Sequence, residues 1–161
     1  MTEREYNDCV DAHADGVYRF ILKSLGHVED SRDIVQSAFE KMWKNRSAVI
    51  NKTAKSYLFT VAYHQMIDHL RKNKKIQLEG EFGEDVSIQD PVYLGEKREL
   101  DAALQQLTPL QKSLVLLKDY EGYTYEEIGK IMALNASQVK VYLHRARLIL
   151  RTIVGNPHNI I

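Results

Sequence analysis

The spacing of apolar residues in the first half of the 161-residue chain most constrains the fold. From Ser31 to Asn45, apolar side chains recur at i, i+1, i+4, i+5, i+8 and i+9, the stripe of an amphipathic helix. A similar stripe runs from Tyr57 to Leu70, and an earlier helix is predicted to end near Gly26. No strand pattern competes with these stripes. We therefore predict an all-α fold whose first domain, over residues 4–75, is a bundle of three helices.

The segment that follows has a different composition. Residues 76–95 contain three glycines, a proline and a cluster of acids, without sustained periodicity. Such a segment is typical of a linker. The sequence therefore predicts a flexible acidic linker between two small helical domains.

Helix starts are well marked in the second half. Residues 108–111 combine an N-cap Thr, Pro at the first helical position and Gln at the third, and residues 124–127 and 135–138 repeat the capping pattern. A further helix is predicted through Leu100, Leu104 and Leu107. The other three are predicted to begin near Pro109, Tyr125 and Ala136.

The last two of these helices form a predicted helix-turn-helix in a second domain over residues 96–155. Tyr125–Ala133 is its first helix and Ala136–Arg151 its second, and the second has dimensions that suit the major groove of DNA. A shared core is predicted from Ile128, Ile131, Met132, Val139, Leu143, Ala146 and Leu150.

The distribution of charge indicates where a nucleic acid would bind. The formal net charge is +0, but residues 41–75 carry nine Lys/Arg against one Asp/Glu, and residues 130–161 carry five against none. Residues 76–101 carry two against eight. Two basic blocks therefore flank an acidic one, which favours two DNA-binding surfaces. A solvated helix face is the alternative, although such faces usually mix charges of both signs.

The predicted second helix of the helix-turn-helix carries a family resemblance. The stretch YTYEEIGKIMALNASQVKVYLHRARLILR resembles the C-terminal domain of extracytoplasmic-function (ECF) sigma factors, the subunits that direct RNA polymerase to promoters. In that family the domain binds the −35 promoter element and docks on the β flap of polymerase. The resemblance and the polar face together assign −35 DNA binding to Ser137, Gln138, Lys140, Val141, His144, Arg145 and Arg147.

The first half is similar to the same family in two further segments. Residues 30–43 resemble the helix that docks on core polymerase, which implies contacts from Asp33, Gln36 and Glu40 to the clamp helices of the β′ subunit. Residues 57–72 resemble the helix that binds the −10 element, where a base is captured out of its stack. The residues expected to bind −10 DNA are Asn51, Lys52, Lys55, His64, Arg71 and Lys72.

Several classes of function lack support in the sequence. It contains no nucleophile elbow, no phosphate-binding Gly-rich loop and no HExxH, so we predict no enzyme activity and no cofactor. His64 and His69 fall on different faces of a helix, which argues against a metal site. No apolar run suits a membrane span or secretory signal, so a cytoplasmic location is expected. The family resemblance implies an anti-sigma factor as a further partner.

Two other interpretations remain open. A dimeric helix-turn-helix regulator would bind a palindrome without polymerase. A sigma-like decoy would bind an anti-sigma protein and never contact DNA. A sigma factor, by contrast, would recognise promoter DNA together with core polymerase.

Overall fold

The protein is all-helical over the part of the chain described in this computed structural model. The backbone is described for residues 1–79 and 98–154, and side chains for residues 1–73 and 100–154. These residues form two compact units, one N-terminal and one C-terminal. Over these ranges the structure contains helices and turns but no strand, which confirms the predicted all-α fold class.

The N-terminal unit contains three long helices. They are α1 (Glu3–Leu25), α2 (Val28–Lys44) and α3 (Ala54–Glu79), with a 3₁₀ turn at Asn51–Thr53. At the start of α1, the Thr2 hydroxyl accepts from the backbone N–H of Glu5, whose carboxylate accepts in return. The helix ends at Gly26, which adopts φ 75°, a value that glycine reaches without steric cost. This end confirms the sequence prediction.

The core of this unit forms where all three helices meet. Phe20 from α1 packs against Phe59 from α3 with ring centroids 5.7 Å apart, and Met42 from α2 is fully buried beside them. Leu58 and Met66 complete the apolar side of α3. Each such side chain stabilises the unit by about 2 kcal/mol through burial.

The end of α3 departs from the predicted domain boundary. The first domain was predicted to stop at residue 75, but α3 continues to Glu79. Residues 76–79, which the prediction assigned to the linker, are therefore helical. The domain bounds 4–75, 76–95 and 96–155 stay predictions. The remainder of the predicted linker lies outside the described residues.

Residues 98–154, the described part of the C-terminal unit, form four helices and a π turn. The helices are α4 (Arg98–Leu104), α5 (Pro109–Val115), α6 (Tyr125–Met132) and α7 (Ala136–Val154). The π turn spans Leu116–Tyr120 and continues α5. The three predicted helix starts are confirmed, and each has its reciprocal cap: Thr108 with Gln111, Thr124 with Glu127, and Asn135 with Gln138.

Helices α6 and α7 form the predicted helix-turn-helix. Between them Ala133 adopts φ 60°, the left-handed conformation that ends α6. The predicted shared core is confirmed, because all of its members are buried: Ile128, Ile131, Met132, Val139, Leu143, Ala146 and Leu150. These contacts fix α7 on α6 and leave the other side of α7 exposed.

Candidate nucleic-acid interface

The exposed side of α7 carries most of the predicted −35 residues. Ser137, Lys140, Val141, His144 and Arg145 are all exposed, and Val141 is 46% exposed in spite of its apolar side chain. Residues 130–161 contain no acid. This side of the helix therefore combines positive charge, hydroxyl and imidazole groups with one apolar contact, a mixture that suits base edges and phosphates.

Gln138 has a second role that the sequence also indicated. Its side-chain oxygen accepts from the backbone N–H of Asn135 at 2.9 Å, and its own backbone N–H donates to Asn135 Oδ1 at 2.8 Å. The amide of Gln138 is thus part of the α7 cap. This contact holds the first turn of α7 in place.

Lys140 belongs to a cluster that sequence analysis missed. Its Nζ lies 5.3 Å from the centre of the Tyr125 ring, and Lys118 Nζ lies 4.6 Å from the same ring. Lys118 also donates to the Tyr123 carbonyl oxygen at 3.3 Å. Two ammonium groups therefore flank one aromatic ring, an arrangement stabilised by cation–π attraction. Lys118 lies 22 residues before Lys140, so no local pattern connects them.

Arg147 is placed differently from the other predicted −35 residues. It is half-buried, and its guanidinium binds both carboxylate oxygens of Asp119. The sequence prediction placed Arg147 on the open polar side of α7. The structure gives it a carboxylate partner inside the unit.

The predicted polymerase-docking residues lie together on α2. Asp33, Gln36 and Glu40 are all exposed, and Gln36 Nε2 donates to Glu40 Oε1 at 3.4 Å. Nearby, Gln65 of α3 donates to Ser37 Oγ at 3.1 Å, which joins α2 to α3 beside this acidic surface. The arrangement offers two carboxylates and an amide to a basic partner.

The predicted −10 residues separate into two groups. Asn51 and Lys52 lie in the 3₁₀ turn, with Lys55 in the first turn of α3. His64 comes nine residues after Lys55, which is about 13 Å along the helix and half a turn around it. All six side chains are exposed: Asn51, Lys52, Lys55, His64, Arg71 and Lys72.

His64 and Arg71 share one side of α3, since they are seven residues apart. The His64 ring meets the buried Tyr63 ring edge-on at 5.2 Å, and Arg71 pairs with Asp68 at 3.7 Å. Burial raises the pKa of Tyr63, so its hydroxyl stays protonated near neutral pH. The His64 imidazole thus contacts the buried aromatic ring of Tyr63 edge-on.

The segment between α2 and α3 is held by contacts that sequence analysis missed. Asn45 Nδ2 donates to Lys41 O and to Tyr57 Oη, both at 3.1 Å. Arg46 stacks 3.7 Å from the centre of the Trp43 ring and donates to the Trp43 carbonyl oxygen at 2.8 Å. An Arg three residues after a Trp at a helix end was the available signal. These contacts fix both ends of the segment that carries Asn51 and Lys52.

Over residues 1–73 and 100–154, whose side chains are described, no three His, Cys, Asp or Glu side chains converge as they would in a metal site. Within the same ranges no helix is both long and apolar enough to cross a membrane.

Comparison with known protein families matches both units. The model of Sigma-70 region 2 matches residues 9–76, and that of Sigma-70 region 4 matches residues 97–150. A helical region 2 followed by a helix-turn-helix region 4 defines a sigma factor. The relatives place the chain more narrowly: it belongs to the ECF family of RNA polymerase sigma factors.

Two curated relatives and one solved structure illustrate the similarity. The RNA polymerase sigma factor SigV of Bacillus subtilis is 30% identical over 151 residues, covering 89% of this chain and 87% of SigV. The ECF sigma factor SigE of Mycolicibacterium smegmatis is 29% identical over 154 residues, 91% of this chain and 60% of SigE. This chain thus spans less than two thirds of SigE.

The solved structure is that of the sigma factor RpoE bound to the anti-sigma factor NepR from Bartonella quintana. It matches with a TM-score of 0.79 at 21% identity, over 94% of this chain and 98% of RpoE. At that identity the match supports the fold.

Proposed function

We propose that this chain binds bacterial core RNA polymerase and directs it to promoters, with α7 recognising the −35 element and the N-terminal unit the −10 element. The observation that carries the proposal is the exposed side of α7, where Lys140, His144 and Arg145 stand over a buried apolar side in a chain segment without acids. Such a helix suits the major groove.

The roles proposed within α7 follow from chemistry and position. Ser137, at the helix start, suits a phosphate oxygen, as does the positive end of the helix dipole. Lys140, His144 and Arg145 suit base edges and phosphates, and Val141 suits a thymine methyl group. Gln138 is expected to contribute mainly by capping α7.

For the −10 element we propose that the two groups divide the work. Asn51, Lys52 and Lys55 lie in and just after the segment fixed by Asn45 and would meet an unstacked base and its phosphate. The second group would hold the strand along α3 through positive charge and imidazole stacking, and its members are His64, Arg71 and Lys72.

Protein partners are proposed on the same basis. The carboxylates of Asp33 and Glu40, with Gln36 between them, suit a basic surface such as the β′ clamp helices. The C-terminal unit is proposed to dock on the β flap, and an anti-sigma factor to hold the chain inactive. We infer a regulator without enzyme activity or cofactor, working in the cytoplasm with RNA polymerase.

Reconstitution tests this proposal directly. Purified chain and bacterial core polymerase are incubated with a library of promoter fragments, and transcript starts are mapped. We expect starts that depend on the chain and share −35 and −10 sequences. Absence of core binding would overturn the proposal. Binding of a palindrome by a dimer without polymerase would favour the helix-turn-helix regulator, and core-independent binding to an anti-sigma protein alone would favour the decoy.

A further inference from the structure

Arg147 differs from the exposed basic residues of α7 because its charge is matched within the unit. Its Nε donates to Asp119 Oδ2 at 3.1 Å, and Nη2 donates to Oδ1 of the same carboxylate. The Asp119 side chain is only 8% exposed, against 33% for Arg147. A bidentate pair of this kind fixes the plane of the guanidinium. The Nε and Nη2 edge of the Arg147 guanidinium is therefore occupied by protein.

The π turn determines where Asp119 points. Within it and just beyond, the Glu121 N–H donates to the Leu116 carbonyl oxygen at 2.9 Å, and the Tyr123 N–H donates to that of Leu117 at 3.0 Å. A π turn inserts an extra residue into a helical turn and so changes the direction of the side chains it contains. Asp119 and its neighbour Lys118 both extend from this turn.

Asp119 and Lys118 are connected to α7 in different ways. Asp119 binds Arg147 directly, whereas Lys118 lies against the Tyr125 ring, whose centre is 5.3 Å from Lys140 Nζ. Lys140 and Arg147 are seven residues apart, so they lie on the same side of α7 about 10 Å apart along its axis. Two points of attachment on one side fix the rotation of a helix as well as its position.

We propose that the Asp119–Arg147 pair positions the recognition helix, and that Arg147 contributes to −35 recognition through Asp119 and not by contacting DNA. This inference rests on the proposed −35 function of α7. Side chains that read base edges have to be placed to within about 0.5 Å, so a small rotation of α7 displaces Lys140 and Arg145 from their targets. Arg147 is thus a positioning residue.

The test compares Asp119→Asn, Arg147→Gln and the double variant with Arg145→Gln as a matched control for charge. Each is assembled with core polymerase on a promoter fragment selected with the unmodified chain, and on the same fragment with a scrambled −35 element. Affinities are measured over a range of salt concentrations. Circular dichroism and amide exchange of α7 establish that each variant is folded.

Opposite outcomes are expected for the two roles. If Arg147 acts through Asp119, each single variant loses about tenfold in −35 preference with an unchanged salt slope, and the double variant loses no more than either single variant. The loss in Asp119→Asn is informative, because removing a negative charge would otherwise strengthen binding to DNA. Arg145→Gln is expected to reduce the salt slope by about one and to gain nothing from Asp119→Asn.

The proposal is overturned if Arg147→Gln reduces the salt slope by about one and the losses of the two single variants add in the double variant. If Arg147→Gln does not fold, Arg147→Lys provides the test, because lysine keeps the positive charge but lacks the planar guanidinium that binds both Asp119 oxygens. Unchanged −35 preference in Arg147→Lys would show that Arg147 makes a simple phosphate contact, and would overturn the proposal. An unmodified complex that fails to distinguish the intact from the scrambled −35 element would instead refute the proposed function of α7.

Discussion

The Leu134 backbone passes directly over Gly129. The Leu134 N–H donates to the Gly129 carbonyl oxygen at 2.8 Å, and the Leu134 carbonyl oxygen lies where a Cβ on Gly129 would be only 2.5 Å away. A side chain at this position would force backbone atoms apart. The turn of the helix-turn-helix thus depends on a residue without a Cβ.

Gly129→Ala is therefore expected to destabilise the C-terminal unit by about 1–3 kcal/mol. Ala133→Gly is a matched variant with the opposite expected effect on stability, because Ala133 adopts φ 60° and glycine relieves that strain. We expect Ala133→Gly to stabilise the unit by roughly 1 kcal/mol. Urea unfolding followed by circular dichroism measures both. Equal stability of Gly129→Ala and the unmodified chain would contradict the close approach.

The buried Lys112 predicts an unusual dependence of stability on pH. Burial lowers the pKa of Lys112 to about 8, and its Nζ donates to Gln105 Oε1 at 3.0 Å. Since the pKa in the unfolded chain is higher, the folded unit releases this proton first. The free energy of unfolding therefore gains about 2 kcal/mol between pH 8 and pH 10.

Lys112→Met removes the titrating group and supplies the control. The difference in free energy of unfolding between the two proteins does not depend on groups that titrate in both. One such group is Tyr120, because burial raises the pKa of its hydroxyl to about 12. We expect Lys112→Met to be the more stable protein below pH 8, and its advantage to shrink toward pH 10. Parallel stability curves over this range would show that burial of Lys112 carries no such cost.

The hydrogen bond between Asn45 and Tyr57 predicts an effect confined to promoter opening. Tyr57→Phe removes the acceptor for Asn45 and frees one end of the segment that carries Asn51 and Lys52. We expect about three- to tenfold slower appearance of permanganate-reactive thymines at −10, with core binding unchanged. Asn45→Ala removes the same bond and also the one to the Lys41 carbonyl oxygen, so the two changes together should be no worse than Asn45→Ala alone. Additive effects of the two changes would show that Asn45 and Tyr57 act independently.

The acidic surface of α2 predicts a selective loss of core binding. Asp33→Ala combined with Gln36→Ala is expected to weaken binding to core polymerase about tenfold, or roughly 1.4 kcal/mol. Asp11→Ala is the control, because it removes an exposed acid from α1 instead. Fluorescence titration with core polymerase gives both affinities. Equal losses in the two proteins would indicate a general effect of net charge.

Helix starts and the buried stripe were predictable because both depend on local chemistry. Thr108, Thr124 and Asn135 each have their capping partner three residues later, within one helical turn. The apolar stripe predicted between Tyr57 and Leu70 likewise includes side chains that are buried in the core: Leu58, Ala62 and Met66. Local periodicity failed at the end of α3, since the acids and glycines that follow residue 75 obscured a helix that continues to Glu79.

The pairing of Arg147 could not be inferred from spacing. Asp119 lies 28 residues earlier in the chain and is directed toward Arg147 by a π turn, which has no simple sequence pattern. In the sequence of α7 alone, nothing distinguishes Arg147 from a basic residue that contacts DNA. Side-chain partners across elements therefore required the three-dimensional fold.

The reciprocal caps of the C-terminal unit also affect how quickly that unit folds. Because contacts within single turns form the starts of α5, α6 and α7, little chain entropy is lost before they form. Helical domains with such local contacts fold in microseconds to milliseconds. Synthesis of 161 residues takes roughly ten to thirty seconds at about 5–20 residues per second. Folding of the C-terminal unit is thus expected to be much faster than synthesis of the chain and to add no delay to it.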